Sequence, residues 1–401
     1  MAHFVIVGGG QAAASLVAKL RTEGFDGQIT LISAEPVPPY QRPPLSKAYL
    51  KGEMEEARLY LRPAAYYADQ DITLKLGAAV TAIDASAKTV AVGDEVIAYD
   101  QLALTTGSTP RRLPAAIGGD LKGVYEVRSL ADVDGMRPAF QAGQRLLVVG
   151  GGYIGLEAAA VAAELDLQVT VIEMADRILQ RVASPETSAF MADLHRSHGV
   201  KILENTGLDR LLGDDHVTGA RLSDGTEIDA DFAIVGIGVT PGSSLADAAG
   251  LTCDNGIAVN ALGQTSDPSI WAAGDCASFP YRGGRIRLES VQNAIDQAET
   301  VAANMLGAEA EYVPHPWFWS DQYDLKLQIA GLNTGYDQVV VRQVGEARSH
   351  WYYRGDKLIS VDAMNDSRAY MVAKRLIEAG KSPAPEVVAD PATELKPLLR
   401  A

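Results

Sequence analysis

The apolar positions of this chain fall into two near-copies of one pattern. FVIVGGGQAAASLVAKL at the start and LLVVGGGYIGLEAAAVAAEL from Leu146 each run an apolar strand into a glycine turn and then an apolar helix. A second apolar strand follows each helix, over residues 28–33 and 168–173, the order that a right-handed βαβ crossover requires. The pattern predicts a doubly wound α/β fold with two similar nucleotide-binding units.

Proline and glycine punctuation at residues 108–119 (STPRRLPAAIGG) and 239–244 (VTPGSS) brackets the second unit. WAAGDCA, from Trp271, reads as a strand and turn that do not complete a third unit, so this block is expected to return to the first domain. From Trp317 the pattern becomes alternating, in LKLQIAG, QVVVRQV, SHWYYRG and KLISVDAM, which predicts antiparallel strands. A helix over residues 367–379 and an irregular tail from Lys381 complete a separate α+β domain.

The chain has 401 residues, 47% hydrophobic and 21% charged, the profile of a soluble globular protein with two or three domains. The start carries no export leader, and the most apolar helical stretch, residues 154–167, holds Glu157 and Glu164 and is too short for a bilayer core of roughly 30 Å. A cytoplasmic location and no membrane partner are expected. A formal net charge of -16 argues against nucleic acid as a partner. Two cysteines, Cys253 and Cys276, allow neither a disulfide framework nor a Cys-x-x-Cys pair. His195 and His198, with Arg196 between them, read as solvated residues of a helix, and no metal site is expected. No nucleophile elbow supports hydrolysis.

The first glycine motif is Gly8-x-Gly10-x-x-Ala13, with Glu35 beyond the next strand. Gly8 suits the tight turn, Gly10 lets a pyrophosphate approach the backbone, small Ala13 allows close strand–helix packing, and Glu35 can accept hydrogen bonds from a ribose. The second motif, Gly150-x-Gly152-x-x-Gly155, is complete, and Glu173 closes the following strand. A carboxylate there pairs with both ribose hydroxyls and repels a 2′-phosphate, favouring NADH over NADPH, although nearby Arg177 leaves some NADPH use open. Glu157, in the first turn of the second helix, is compatible either with a helix-dipole role or with contact at the nicotinamide end.

The run PYQRPPLSKAYL (residues 39–50) resembles the signature of FAD-dependent ferredoxin reductases, the family of putidaredoxin reductase, rhodocoxin reductase and the reductases of aromatic-ring dioxygenases. Similar matches are TTGSTPR (105–111), the Glu157-containing helix, VGIGVTP (235–241), residues 265–277, RLESVQNAIDQ (287–297) and WFWSDQY (317–323). The resemblance implies a glutathione-reductase-like α/β fold. It would comprise an FAD-binding domain over residues 1–110 and 241–314, an NAD-binding domain over 111–240 and a C-terminal interface domain over 315–401.

The resemblance assigns Gly8, Gly10, Ala12, Ala13, Glu35, Arg42, Lys47, Val80, Thr106, Gly107, Arg128, Asp275, Val291 and Trp319 to FAD. It assigns Gly150, Gly152, Tyr153, Ile154, Gly155, Glu157, Glu173 and Gly238 to NADH, with Lys47, Glu157 and Trp319 at the catalytic centre. Lys47 would stabilise reduced flavin and pair with Glu157. Two departures from the family pattern are Ala34, where many relatives carry an acid, and Gly242, where relatives often carry Asn.

The implied activity is NADH-dependent ferredoxin reduction: a hydride passes from NADH to FAD, then single electrons pass to a small iron-sulfur ferredoxin that feeds an oxygenase. No cysteine precedes Cys253, so the redox cysteine that disulfide reductases and flavin peroxidases keep beside the flavin is absent. An NADH oxidase, a flavoprotein like apoptosis-inducing factor, and a non-catalytic NADH-responsive sensor are the alternatives. A basic patch of Arg282, Arg285 and Arg287, with Arg58 and Arg62, is a candidate docking surface.

Overall fold

The computed structural model describes residues 1–400 and divides into two compact units. The first comprises Met1–Arg42, Glu55–Thr109 and Val239–Pro316; the second comprises Pro43–Met54, Pro110–Gly238 and the chain from Trp317.

In the first unit the strand His3–Val7 pairs in parallel with Gln28–Ile32 on one side and Gln101–Leu104 on the other. Ile72–Lys75 and Ile270–Ala272 complete the five-stranded sheet. The WAAGDCA segment therefore does return to this sheet. Alternation along His3–Val7 serves both faces: Phe4 and Ile6 pack with Leu16, Leu20 and Val301 of the flanking helices, whereas Val5 and Val7 pack with Ile83, Val90 and Ile97. Those last three belong to an antiparallel meander, Val80–Asp84, Thr89–Val92 and Glu95–Ala98.

The second unit repeats the scheme. Arg145–Val149 lies between Gln168–Ile172 and Phe232–Val235 in a parallel sheet that Lys201–Leu203 and Val124–Tyr125 complete. Its meander is Leu208–Leu212, Gly219–Leu222 and Glu227–Asp229.

From Trp317 a five-stranded antiparallel sheet runs in the order Trp317–Gln322, Leu325–Gly331, Lys357–Met364, Ala347–Arg354, Gln338–Val344. The amphipathic helix Ser367–Glu378 packs Ala369, Val372, Ala373 and Leu376 onto it. The tail is more ordered than the expected irregular segment. It forms the short helix Pro385–Ala389, and buried Arg342 donates to the carbonyl oxygens of Val388 (3.0 Å), Asp390 (2.5 Å), Pro391 (3.2 Å) and Thr393 (2.8 Å). One guanidinium supplies the donors that proline-rich backbone cannot supply to itself. No helix among the described residues is long and apolar enough to cross a membrane.

Candidate functional site

Among the helices of twelve or more residues, two differ from the other three in how they begin. Pro185–Ser197, Val291–Met305 and Ser367–Glu378 begin on Ser184, Ser290 and Asp366, whose side chains accept a first-turn N–H. Gln11–Thr22 and Tyr153–Glu164 begin instead on Gly10 and Gly152, with no side-chain cap. A Cβ on Gly10 would meet nothing within 4 Å, and one on Gly152 would meet only the Gly236 oxygen at 4.0 Å. Each turn thus offers uncapped N–H groups and room for backbone approach, which is what a diphosphate needs.

Positive φ explains the preceding glycines. Gly8 (φ 121°) would place a Cβ 2.2 Å from the Thr105 oxygen, and Gly150 (φ 106°) 2.5 Å from the Gly236 oxygen. A Cβ on Gly155 would lie 2.7 Å from the Gly150 oxygen, so strand and helix meet there closely. In the first unit Ala13 is fully buried, and Ala12 lies against Gly274, whose Cβ would stand 3.1 Å from that of Ala12.

The two acids differ in setting. Glu173 accepts the N–H groups of Gly151 and Ala175, each at 2.8 Å, one on each carboxylate oxygen. Ser33 holds the corresponding place after the first unit's strand: a Cβ on Gly9 would meet the Ser33 hydroxyl, just as one on Gly151 would approach Glu173. Glu35 stands farther along, accepting from the Tyr40 hydroxyl (2.6 Å) and pairing with Arg42 (2.5 Å), whose guanidinium lies 5.0 Å from the Tyr40 ring centroid.

Also in the first unit, the Thr106 hydroxyl donates to the Gly242 oxygen at 2.5 Å, and the Gly242 N–H donates to the Gly107 oxygen at 2.8 Å. A Cβ on Gly242 would lie 2.7 Å from the Thr106 oxygen, so asparagine cannot stand here without a backbone shift. The Ser108 hydroxyl donates to Asp275 at 3.0 Å. Val80 opens its strand half-buried, and Val291 is the first residue of its helix.

Of the expected basic patch, Arg58, Arg62, Arg282 and Arg285 are exposed and Arg287 is half-buried. Arg285 donates to the Val259 oxygen at 2.8 Å and to the Ser278 oxygen, and Arg287 donates to the Asp275 oxygen at 3.0 Å and pairs with Glu289 at 2.6 Å. Both hydrogen-bond to backbone carbonyl oxygens, Arg285 while remaining exposed. Cys253 is part-buried and Cys276 fully buried, and burial pushes both thiols up, away from the thiolate form.

In the second unit Glu157 is buried and is the fifth residue of its helix, past the first turn in which the sequence placed it. Its Oε2 meets the Lys47 ammonium at 2.7 Å and the Ser46 hydroxyl at 2.5 Å; its Oε1 accepts from the Ser320 hydroxyl at 2.6 Å. Trp319 precedes Ser320 on the same strand, half-buried, its ring centroid 5.5 Å from that of Trp317. Tyr153 packs against Phe318 at 5.1 Å, and burial holds its phenol well above the usual range. Ile154 is exposed, Arg128 precedes the Ser129 cap of helix Leu130–Met136, and Gly238 (φ 104°) has the side chains of Arg111 and Arg181 within 4 Å of its Cβ position.

His195 is also corrected. It is fully buried rather than solvated, with Nε2 2.7 Å from the Gln322 oxygen and Nδ1 3.0 Å from the Tyr323 hydroxyl. Sequence reading missed Ser46, Ser320 and Gln322. Their positions inside PPLSK and WFWSDQY were the available signal, since both motifs put small polar residues among apolar and aromatic ones.

Residues 2–298 match the pyridine nucleotide-disulphide oxidoreductase family, and residues 317–399 match the reductase C-terminal family. The 5,5'-dehydrodivanillate O-demethylase ferredoxin reductase subunit of Sphingobium sp. is 44% identical over 100% of both chains. Rhodocoxin reductase of Rhodococcus erythropolis is 42% identical over 98% of this chain and 93% of its own. Among solved structures, the covalent putidaredoxin reductase–putidaredoxin complex superposes with a TM-score of 0.96 at 40% identity, covering 100% of this chain and 98% of that one. The chain belongs to the pyridine nucleotide-disulphide oxidoreductase family, in the branch of FAD-dependent ferredoxin reductases that includes putidaredoxin and rhodocoxin reductases.

Proposed function

We propose that this protein is an NADH-dependent ferredoxin reductase: NADH reduces FAD by hydride transfer, and single electrons then leave to a small iron-sulfur ferredoxin serving a haem monooxygenase or an aromatic-ring dioxygenase. Two glycine-capped helix starts, together with the Lys47–Glu157 ion pair in a chain whose cysteines are unsuited to redox exchange, carry this reading. FAD supplies the conversion of a two-electron input into one-electron outputs.

The chain's own residues bind and orient. Gly8, Gly10, Ala12, Ala13, Glu35, Arg42, Val80, Thr106, Gly107, Asp275 and Val291 are assigned to FAD, as are Arg128 and Trp319. Gly150, Gly152, Tyr153, Ile154, Gly155, Glu173 and Gly238 are assigned to NADH. Lys47 supplies positive charge for the reduced cofactor, and Glu157 holds that ammonium in place. We retain the three-domain division, with the FAD-binding domain at 1–110 and 241–314, the NAD-binding domain at 111–240 and the interface domain from 315. Dependence on NADH and two free cysteines suit the cytoplasm, where thiols stay reduced.

Anaerobic stopped-flow mixing with NADH, followed by cytochrome c reduction with and without an added small iron-sulfur ferredoxin, tests the assignment. Rapid flavin bleaching and ferredoxin-dependent cytochrome reduction are expected. Oxygen consumption that outpaces ferredoxin-dependent turnover would make the protein an oxidase instead, and no bleaching would make it a sensor.

A further inference from the structure

The Lys47–Glu157 pair is the inner end of a longer chain of hydrogen bonds, all within the second unit. Ser320 donates to Glu157 Oε1 and itself accepts from Gln322 Nε2 at 3.0 Å. The Gln322 oxygen can only accept, so His195 Nε2 must carry the proton at that 2.7 Å contact. Burial lowers the His195 pKa to about 4, so the ring is neutral near pH 7 and its Nδ1 accepts from the Tyr323 hydroxyl at 3.0 Å. The outer end of the chain is the Tyr323 hydroxyl, and the exposed His198 ring stacks on the Tyr323 ring at 3.7 Å without joining the hydrogen bonds.

Every bond therefore donates in one direction, from Tyr323 through His195, Gln322 and Ser320 to Glu157. Reversing any one link would leave a buried group facing its own kind, at the cost of an unsatisfied polar atom. Gln322 can pass a proton only through an unfavourable imidic form, which makes the array a scaffold and not a proton wire. Hydrogen bonds on both carboxylate oxygens also leave Glu157 little freedom to rotate away from the ammonium.

We propose that Ser320, Gln322 and His195 are positioning residues for reduction of the enzyme by NADH, holding the Glu157 carboxylate in the orientation that fixes Lys47. The inference rests on the roles given above to Glu157 and Lys47. Ser320 and Gln322 lie on the strand Trp317–Gln322 and His195 on the helix Pro185–Ser197, so the carboxylate is oriented from segments far from it in sequence.

The test is single-turnover reduction of FAD-loaded enzyme by NADH under anaerobic conditions. Ser320→Ala deletes a donor to the carboxylate. Gln322→Glu is nearly isosteric but presents only acceptors, so it reverses a link without emptying space. Each should slow reduction at saturating NADH by about tenfold, the effect of losing one hydrogen bond to a charged group. NADH affinity should stay within about twofold, the sign of an effect on the step and not on binding. Ser320→Thr keeps the hydroxyl and should restore the rate.

Wild-type rates in both variants would overturn the inference, as would a loss confined to NADH or FAD affinity, or a loss that threonine does not restore. Should Ser320→Ala not fold, Gln322→Glu and Ser320→Thr decide the matter. Glu157→Gln separates the layers: slow reduction there with normal rates in Ser320→Ala and Gln322→Glu removes only the positioning chain, whereas normal reduction in Glu157→Gln removes the assigned role of Glu157 and the chain with it.

Discussion

Glu173 accepts the Gly151 N–H at 2.8 Å, tying the acid proposed to read the ribose to the glycine turn proposed to bind the pyrophosphate. Its other oxygen takes the Ala175 N–H at the same distance, so the carboxylate organises its loop before any nucleotide arrives.

Glu173→Gln tests this double duty. The amide has one acceptor oxygen and places its NH2 group against one of the two N–H donors, so a link is lost and a like pair is created. KM for NADH should rise about tenfold while kcat changes little, because the lost contact is made equally in ground and transition states. Discrimination against NADPH should narrow, since the repulsive charge is gone. Steady-state ferricyanide reduction with both nucleotides measures this; an unchanged KM for NADH would remove Glu173 from the nucleotide site.

Lys47 and Glu157 invite a double-mutant cycle. The carboxylate is buried, so Lys47→Met leaves a charge supported by two hydroxyls and should destabilise the protein by about 3 kcal/mol. In Lys47→Met/Glu157→Gln that charge is removed too, and the double variant should be more stable than Lys47→Met alone by at least ~1 kcal/mol. Thermal unfolding of the four FAD-loaded proteins gives the coupling. Simple additivity would show the pair to be energetically independent despite its 2.7 Å separation.

Legibility in the sequence followed the range of the interactions. Strand, glycine turn and helix are set by neighbours in the chain, and both Rossmann-type units and the antiparallel C-terminal sheet could be read from apolar periodicity. The glycines carry a backbone reason visible without a structure, and Gly8 and Gly150 have the positive φ that reason requires. Interactions between segments far apart were not readable. His195 reads as a solvated histidine with Arg196 beside it, yet it is buried and meets Gln322 and Tyr323, far along the chain. Arg285 reads as surface charge and is exposed, but its bonds to the Val259 and Ser278 carbonyl groups could not be read. The proline-rich tail has no periodicity, and its order comes from Arg342, on a strand more than forty residues earlier.

Arg342 should accordingly hold the C-terminal tail. Its guanidinium is the donor to four carbonyl oxygens, and Arg342→Met leaves those groups without it while keeping much of the aliphatic volume. A loss of about 3 kcal/mol is expected, as for breaking a buried charged hydrogen-bond network. Limited proteolysis should then cut within residues 383–400 faster than in the parent, with NADH-dependent flavin reduction largely kept. A tail as resistant as the parent's would show that Val388 and Leu395, which pack into the core, suffice to hold it.

Acid sensitivity follows from three buried groups with opposite signs. His195 and His350 are held at about 4 against an ordinary 6.5, mainly by burial, and for His350 also by Arg348, whose Nε donates to its Nε2 at 2.8 Å. A depressed imidazole contributes fully above the unfolded pKa and loses its contribution as pH falls toward the folded one, because the unfolded chain takes up protons that the native state refuses. Asp362 works in reverse: burial raises it to about 6 from 3.8, so its contribution is present below the lower value and lost as pH rises through the upper one. Between roughly pH 6 and 4 the unfolded state therefore binds two protons at the histidines while the native state binds one at Asp362. Stability should fall by about 1.4 kcal/mol per pH unit across that window. In His195→Gln the balance is one against one, and the slope should approach zero. In Asp362→Asn nothing opposes the histidines, and it should about double, to ~2.7 kcal/mol per unit. Urea midpoints of the FAD-loaded proteins at several pH values measure all three, and identical slopes in parent and variants would mean that these groups do not govern acid unfolding.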